Sequence, residues 1–287
     1  MPKVFLNGSF VARESACISV MDRGFLFGDG VYEVIPVYGR TPFRLGQHLK
    51  RLSSSLQQIR LNNPYGHNDW TAILQTLIDQ YPGRDQSLYL QITRGADSKR
   101  DHRFPDNVTP TVFAMTTLSD GSSGQATATG VRAITLKDIR WEYCNIKAIT
   151  LLPNVLLRQQ ATEAGAGEAI LLRDGWATEG SASNLFIVHN GLLLTPPTGP
   201  RLLPGITRDL VLELAVANAI PFREADVAEQ QLRVAAEIWL TSSTREIMPV
   251  TDLDGVPVGN GLPGVLFQRM MSLYQNYKNA VRDGTAS

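Results

Sequence analysis

The sequence predicts an α+β fold of two domains, in which mixed sheets pack with helices, and three observations lead to this prediction. The chain has 287 residues, of which 43% are hydrophobic, enough for one large core or two smaller ones. Strand-like and helix-like segments follow one another without the regular strand–helix–strand alternation of a doubly wound sheet. Residues 119–129 contain only small or polar groups and cannot bury enough apolar surface to fold by themselves.

This composition change divides the chain into a smaller N-terminal α/β domain (1–118), a linker (119–129) and a larger C-terminal domain (130–287). The smaller domain begins with a hairpin, because Val4-Phe5-Leu6 is followed by Asn7-Gly8, a pair that tolerates the positive φ of a tight turn. Apolar periodicity predicts the remaining elements of this domain. They are strands at 31–38, 88–94 and 111–117 and helices at 46–60 and 69–81.

The larger domain has the same mixture of periods. Alternating and continuous apolar runs bounded by Asp-Gly or Asn-Gly pairs predict strands, and stripes with helical spacing predict helices. The predicted strands are 131–136, 168–174, 184–190 and 236–243. The predicted helices are 151–165, 205–219 and 263–281.

Charge and cysteine content exclude several classes of function. Lys+Arg and Asp+Glu both number 27, so the formal net charge is zero and no global field attracts nucleic acid or an anionic membrane. The two cysteines, Cys17 and Cys144, show no metal-ligand spacing and are predicted to be buried free thiols. The N-terminus lacks the features of a signal peptide, and no apolar run has the length of a membrane span. We therefore expect a cytoplasmic protein without metal ligands.

Two residues of the larger half are candidates for covalent and electrostatic chemistry. Lys147 lies in the segment Asn145-Ile146-Lys147-Ala148, and most lysines in such a setting are surface residues. Glu179 follows 32 residues later among small hydroxylic residues, 178–184, that let a flat ring approach the backbone. Alone, each could be an ordinary surface group.

Two further segments suit a phosphate. Residues 203–209, LPGITRD, open a predicted helix, whose first N–H groups lack partners and lie at the positive end of the helix dipole. Residues 241–244 place four hydroxyls at the end of a strand. A lysine, a carboxylate, a helix N-terminus and a hydroxyl cluster, in this order, are what a pyridoxal 5'-phosphate site requires.

Six ordered motifs resemble the class IV aminotransferases, which are fold-type-IV pyridoxal-phosphate enzymes. They are DRGFLFGDGVYEV (22–34), HLKRL (48–52), NIKAITLLPNVL (145–156), ATEGSASNLF (177–186), LLPGITRD (202–209) and TSSTREIMPV (241–250). The resemblance implies that Lys147 forms the Schiff base and that Glu179 pairs with the pyridine nitrogen. It implies phosphate contacts from the side chains of Arg51 and Ser243 and the backbone of Ile206 and Thr207.

The resemblance also implies the substrate contacts. Tyr32 would line the substrate side. Within this family, D-amino-acid transaminases are similar in carrying an Arg-x-His that binds the substrate α-carboxylate, here Arg100 and His102 in the loop 94–105. The loop is one residue longer than the common pattern, so that Arg94 or Arg103 could take the role instead. Ala182 also departs from the serine often found there.

The function expected from this resemblance is amino-group transfer between a D-amino acid, of D-alanine or D-glutamate type, and a 2-oxo acid. A homodimer is expected, in which each loop 94–105 completes the partner's active site. Three alternatives within the family stay open: a branched-chain L-amino-acid transaminase, an aminodeoxychorismate lyase and an (R)-selective amine transaminase. A catalytically silent binding protein is the alternative from another class.

Overall fold

The chain folds into two compact units in the computed structural model, which describes residues 2–119 and 129–285. The first unit contains 2–119 together with 146–151 and 280–285. The second contains 129–145 and 152–279. Most of the predicted linker, 120–128, lies outside the described residues. The domain boundaries predicted at residues 118 and 130 therefore stay a prediction.

The first unit is built on a six-stranded sheet in which all neighbouring strands are antiparallel and their order is β2-β1-β6-β5-β3-β4. The strands are β1 (Lys3–Leu6), β2 (Ser9–Ala12), β3 (Gly30–Tyr38), β4 (Thr41–Pro42), β5 (Gln86–Thr93) and β6 (Thr111–Leu118). The helices are a 3-10 turn (Arg13–Ser15), α1 (Arg23–Phe27), α2 (Leu45–Gln58) and α3 (His67–Ile78).

The core of this unit lies between one face of the sheet and the helices α2 and α3. Leu52 and Trp70 from the helices pack in it with Val31, Ile35 and Leu90 from the strands. In strand β3, buried and half-buried residues alternate from Val31 to Ile35. This alternation gives β3 one core face and one face that is open to other contacts.

The second unit contains a mixed sheet with strand order β12-β11-β10-β14-β15-β7-β8-β9-β13, and β16 pairs with β15. The strands are β7 (Val131–Lys137), β8 (Glu168–Arg173), β9 (Trp176–Gly180), β10 (Asn184–His189), β11 (Leu192–Thr195), β12 (Phe222–Glu224), β13 (Val227–Ala228), β14 (Glu237–Ser242), β15 (Glu246–Leu253) and β16 (Val256–Pro257). The helices are α4 (Leu152–Glu163), α5 (Ile206–Ala217), α6 (Glu229–Arg233) and α7 (Val265–Arg282).

The architecture confirms the predicted α+β class with mixed sheets. Every strand and helix predicted in the sequence analysis is present, with ends that differ by a few residues at most. Several strands were missed. Among them are β9, which contains Glu179, and β15, which contains Pro249. Across the described ranges, no helix has the length and hydropathy that crossing a membrane requires.

The prediction for the cysteines was half wrong. Cys144 is buried, whereas Cys17 is exposed, and both are free thiols. Cys17 lies in the irregular segment between the 3-10 turn and α1, where 13–20 are mostly exposed. A segment without a regular element presents no apolar face that could bury the thiol.

Candidate active site

Lys147 is fixed by its backbone within the first unit. Its N–H donates to the hydroxyl of Ser55 on α2 at 3.2 Å, and its carbonyl accepts from the N–H of Tyr32 on β3 at 3.0 Å. The next residue, Ala148, forms an isolated bridge with Val31. The segment 146–151 therefore lies along β3, and the lysine side chain starts from a backbone that is anchored to a strand.

The side chain of Lys147 lies against an aromatic pair. Its Nζ is 4.0 Å from the ring centroid of Tyr32, and this ring stacks on that of Tyr89 with a centroid distance of 5.8 Å. Burial, with a smaller contribution from Tyr32, raises the pKa of Tyr89 to about 12, so that Tyr89 stays neutral. Both Lys147 and Tyr32 are half-buried. The structure thus brings together the two predicted residues and leaves the amine accessible.

Behind β3, a fully buried carboxylate holds Arg51. Nε and Nη2 of Arg51 donate to the two oxygens of Glu33 at 2.8 and 2.7 Å, and Nδ1 of His48 lies 2.8 Å from the same carboxylate. Burial alone raises the pKa of Glu33, but Arg51 and His48 outweigh this effect and lower the pKa to about 2. Burial lowers the pKa of His48, so the imidazole is neutral and its Nδ1–H donates.

Arg51 is therefore a buried, bidentate ion-pair partner and not a solvated helix residue. The buried face of α2 is wider than its apolar stripe, because it also includes His48, Arg51 and Ser55. A signal for this arrangement existed in the sequence. Strand alternation places Glu33 on the core face of β3, and His48 and Arg51 are three residues apart on one face of the next helix. Neither the pairing of Glu33 with Arg51 nor its contact with His48 was predicted.

The ion pair makes a testable contribution to stability. Because the pKa of Glu33 is lower in the folded chain than in the unfolded one, its stabilisation is complete above about pH 4.5 and is lost as the pH falls towards 2. A shift of this size corresponds to roughly 3 kcal/mol. We expect Glu33→Gln to lower the free energy of unfolding at pH 7 by about 3–5 kcal/mol, since it leaves Arg51 buried with a neutral partner.

Urea denaturation of wild type and Glu33→Gln at several pH values between 7 and 3 measures this contribution. The difference between the two proteins should shrink as the pH falls below about 4.5, because Glu33 of the unfolded wild type then takes up a proton, whereas Glu33 of the folded protein stays ionised until about pH 2. Asp79→Asn is the matched control: it removes an ion pair with Arg40 whose side chains are 57% and 44% exposed. A constant difference at all pH values would show that the stabilisation does not come from the negative charge of Glu33.

The loop 94–105 carries the predicted carboxylate ligands, and its cations differ in their surroundings. Arg100 and His102 are exposed, and both lie against the ring of Phe27. Arg94 is buried and donates to both oxygens of Asp29 and to the carbonyls of residues 59 and 60. This engagement disfavours Arg94 as the alternative carboxylate ligand, whereas Arg103 is exposed.

In the second unit, Glu179 is a buried residue of β9. Nδ2 of Asn184 donates to Glu179 Oε2 at 2.9 Å, the N–H of Leu203 donates to the same oxygen at 3.1 Å, and Arg140 pairs with the other oxygen. Burial raises the pKa of Glu179, and the guanidinium of Arg140 opposes that shift. Arg140 is itself held by Asp138. The carboxylate is therefore fixed in position by three donors.

The same unit contains a cradle that suits a phosphate. Helix α5 begins after Gly205, which offers no capping side chain, so that Ile206 and Thr207 occupy the first turn. A Cβ at position 205 would collide with Asn184 Oδ1, so the turn requires glycine. The backbone at Gly205 therefore lies against Asn184, the residue that donates to Glu179. The N-terminus of α5, beside it, suits an anion.

The hydroxyl cluster lies beside this helix end. Asn184 and Thr241 are directly opposite on β10 and β14, so their side chains share a face. Within the part of the chain that the structure describes, the buried Oγ1 of Thr241 has no hydrogen-bond partner, as expected of a donor that serves a bound group. Ser243 follows and is half-buried. The residues present in this unit therefore fit the phosphate and the ring nitrogen of a pyridoxal cofactor.

Sequence reasoning missed Arg140 and Asn184. Asn184 was within a quoted motif, but its role depends on a turn that brings residue 203 next to it. Arg140 was in no motif, and only the ion pairs with Asp138 and Glu179 reveal it.

Comparisons with known proteins give the family. The model of the class IV amino-transferases matches residues 30–253. The D-alanine aminotransferase of Bacillus licheniformis is 39% identical over 274 residues, which cover 96% of each chain. The crystal structure of the Escherichia coli branched-chain amino acid aminotransferase matches with a TM-score of 0.90 and 26% identity over 99% of this chain and 96% of the other. That of the branched-chain aminotransferase from Thermoproteus uzoniensis with norvaline gives 0.88 and 27%, with the same coverage.

The fold and the family model together define the class: this chain belongs to the class IV aminotransferases, and it is an aminotransferase. The names of its curated relatives are more specific than that of the family. Several that are named D-alanine aminotransferase are 36–39% identical to it over nearly the whole chain.

Proposed function

We propose that this protein transfers the amino group of a D-amino acid, of D-alanine or D-glutamate type, to a 2-oxo acid, with pyridoxal 5'-phosphate as cofactor. The observation that carries the proposal is the identity of 36–39% with D-alanine aminotransferases over nearly the whole chain. The alternative, a branched-chain L-amino-acid transaminase, is favoured by the solved structures with the same fold, but their identity is only 26–27%.

The bound cofactor would supply an electron sink that stabilises charge at the substrate α-carbon. Lys147 would attach it covalently and then move the proton at that carbon. Glu179 would keep the pyridine nitrogen protonated, because three donors hold its carboxylate in place. The phosphate would be bound by Arg51 and Ser243 and by the backbone N–H groups at the start of α5, Ile206 and Thr207.

The substrate would be oriented by its carboxylate. Arginine suits this task because its planar guanidinium matches a carboxylate with two parallel hydrogen bonds. Arg100 and His102 would bind the α-carboxylate, and Tyr32, beside Lys147, would line the substrate side. A substrate held by its carboxylate in this way would present the α-proton of the D-enantiomer to Lys147.

A panel of half-reactions tests the proposal. The cofactor-loaded protein is mixed with single D- or L-amino acids, and the change in the cofactor absorption is followed. We expect D-alanine and D-glutamate to react faster than their L-forms, with pyruvate and 2-oxoglutarate as acceptors in the reverse half. A strong preference for L-leucine or L-valine would favour the branched-chain alternative, and pyruvate release without an acceptor would favour the lyase.

Arg100→Ala is expected to lower kcat/KM selectively for substrates that carry a carboxylate. It removes a charged hydrogen-bond donor, which contributes about 1.5–3 kcal/mol, so kcat/KM for D-alanine should fall roughly 10- to 150-fold. The slower reaction of a primary amine without a carboxylate should change little. Steady-state kinetics with both substrates measure the difference.

Arg103→Ala serves as the comparison variant, because it removes another exposed cation of the same loop. A larger loss of D-alanine turnover in Arg103→Ala than in Arg100→Ala would transfer the role to Arg103. Equal losses for the acid and the amine in Arg100→Ala would contradict carboxylate binding by Arg100.

We also propose a cytoplasmic homodimer with shared active sites, in which the loop 94–105 completes the partner's site. A mixture of an Arg100 variant, which is impaired alone, and a Lys147 variant, which is inactive alone, should then be more active than the sum of the two, because hybrid dimers contain one intact site. Activity of the mixture is measured after subunit exchange has been verified with differently tagged chains. Exchange without recovered activity would show that each protomer acts alone.

A further inference from the structure

A buried arginine joins the two ends of the loop 94–105, at residues 94 and 104. The guanidinium of Arg94 lies 3.7 Å above the ring of Phe104, so the two ends of the loop meet. Arg94 also donates to both carboxylate oxygens of Asp29, at 2.8 and 3.0 Å. The base of the loop is therefore closed, although most residues between its ends are exposed.

A second arginine binds the tip of the loop through its backbone. Arg23 donates from Nε to Asp29 Oδ2 at 2.8 Å. Its Nη1 donates to the carbonyls of Asp101 and Arg103 at 2.6 and 3.3 Å, and its Nη2 donates to the carbonyl of His102 at 3.3 Å. The side chain of Arg23 is only 4% exposed. Three successive carbonyls thus share one buried donor, which fixes the backbone path through residues 101–103.

The side chains of the loop tip are held by one ring. The guanidinium of Arg100 is 4.8 Å from the centroid of Phe27, and the imidazole of His102 is 5.1 Å from it. Arg23 contacts the same ring at 4.8 Å. Phe27 therefore orients both proposed carboxylate ligands without using their N–H groups, because contacts with an aromatic face leave the hydrogen-bond donors of a guanidinium available.

Asp29 connects these contacts. It accepts from Arg23 and Arg94, so one carboxylate faces two guanidinium groups and the cluster keeps a net positive charge. All of these residues lie in the first unit. A rigid loop lowers the entropy lost when a carboxylated substrate binds.

We propose that Arg23, Phe27 and Asp29 form a loop clamp that positions Arg100 and His102 for the substrate α-carboxylate. This inference rests on the proposed function, and it assigns these three as positioning residues that do not touch the cofactor. Loss of the clamp leaves both ligands present but mobile. The KM for a carboxylated substrate then rises because the loop must be ordered on binding, whereas the affinity for the cofactor does not change.

Two variants of the complete, cofactor-loaded protein test the loop clamp. Phe27→Leu keeps an apolar side chain but removes the aromatic face. Arg23→Gln shortens the side chain and removes the guanidinium that donates to the three carbonyls, while Asp29 keeps its pairing with Arg94. Lys99→Gln, an exposed change of charge within the loop, is the control. We measure KM and kcat for D-alanine, cofactor affinity by equilibrium titration, and hydrogen–deuterium exchange of peptides that span residues 96–104.

We expect both variants to raise KM for D-alanine about tenfold or more, as for the loss of one charged contact, with a smaller change in kcat. Exchange of the loop amides should become faster, and cofactor affinity should equal that of wild type and of Lys99→Gln. Unchanged KM and unchanged exchange in Phe27→Leu would overturn the inference, even if Arg23→Gln failed to fold. Faster exchange with unchanged KM would also overturn it, because the order of the loop would then have no effect on substrate binding.

These outcomes can be separated from a failure of the proposed function. If the wild-type protein does not react with D-alanine or D-glutamate, the proposed function is wrong, and the carboxylate part of the inference fails with it. The exchange measurement still decides in that case whether Arg23 and Phe27 order the loop. If the wild-type protein reacts and the variants retain its KM, only the loop clamp is wrong.

Discussion

Replacing Lys147 with alanine is expected to abolish covalent attachment of the cofactor and to reduce amino-group transfer by at least about 10³-fold, since the variant loses both the nucleophile and the group that moves the proton. The structure gives the physical reason that another lysine should not substitute for it. The backbone of Lys147 is fixed by Ser55 and Tyr32, and its Nζ lies 4.0 Å from the ring of Tyr32.

Borohydride reduction of the loaded protein, followed by peptide mapping, identifies the attachment site. The label should appear on the peptide that contains Lys147 in wild type and should be absent in Lys147→Ala. Lys50→Ala is the control, because Lys50 is an exposed residue of α2. A label on any other lysine of the wild-type protein would refute the assignment, whatever the activity of the variant.

Local periodicity was sufficient for the parts of the fold that have a clear buried face. The period of two that identifies β3 also puts Tyr32 on the face opposite Val31 and Glu33, and the burial pattern agrees with this. Strand β9 could not be predicted in the same way. Its residues, Trp176–Gly180, include three small ones and form a strand because β8 and β13 pair with it on either side. The partner β8 is the neighbouring arm of a hairpin, but the partner β13 comes from a distant segment, which no local window contains.

The same limit applies to the electrostatics around the candidate site. Motif order identified Lys147 and Glu179 as candidates, because their chemistry requires those residue types. It did not reveal that Glu179 shares Arg140 with Asp138. Nor did it reveal that a buried glutamate holds Arg51. Periodicity can indicate that such residues lie on buried faces, as it does for Glu33, His48 and Arg51, but no spacing rule says which carboxylate meets which cation until the chain is folded.

The division of the chain shows a related effect. Residues 146–151 lie beyond the predicted linker in sequence, yet they cluster with the first unit. The reason is local hydrogen bonding: the N–H of Ile149 donates to the carbonyl of Gly30, as Tyr32 donates to Lys147. Composition detects a polar segment, but it does not show where a later segment returns to an earlier strand.

Glu179→Gln is expected to lower the rate of a single turnover by about 10²–10³-fold, the range for loss of one preorganised electrostatic group. Glutamine keeps the shape of the side chain, and its carbonyl oxygen can still accept from Asn184 and Leu203. It lacks the negative charge that would keep a pyridine nitrogen protonated. Because the phosphate contacts proposed at the start of α5 are unchanged, cofactor retention should be close to that of wild type.

The pH dependence gives a second signature of Glu179. Burial raises the pKa of this carboxyl, and the charged form is the one that the proposed role requires. Activity should therefore fall as the pH decreases through a value above the ordinary range of glutamate. Glu179→Gln, which has no charge to lose, should show a flatter acid limb at its lower rate.

Rapid-mixing absorption measurements with D-alanine, at several pH values, follow both effects. Glu163→Gln is the matched control in the same unit, because Glu163 is an exposed residue of α4 whose carboxylate accepts from Gln159 at the surface. The control should retain the wild-type rate and the wild-type acid limb. If Glu179→Gln reacted as fast as this control, the buried carboxylate would be a structural partner of Arg140, and the electrostatic role proposed for it would be wrong.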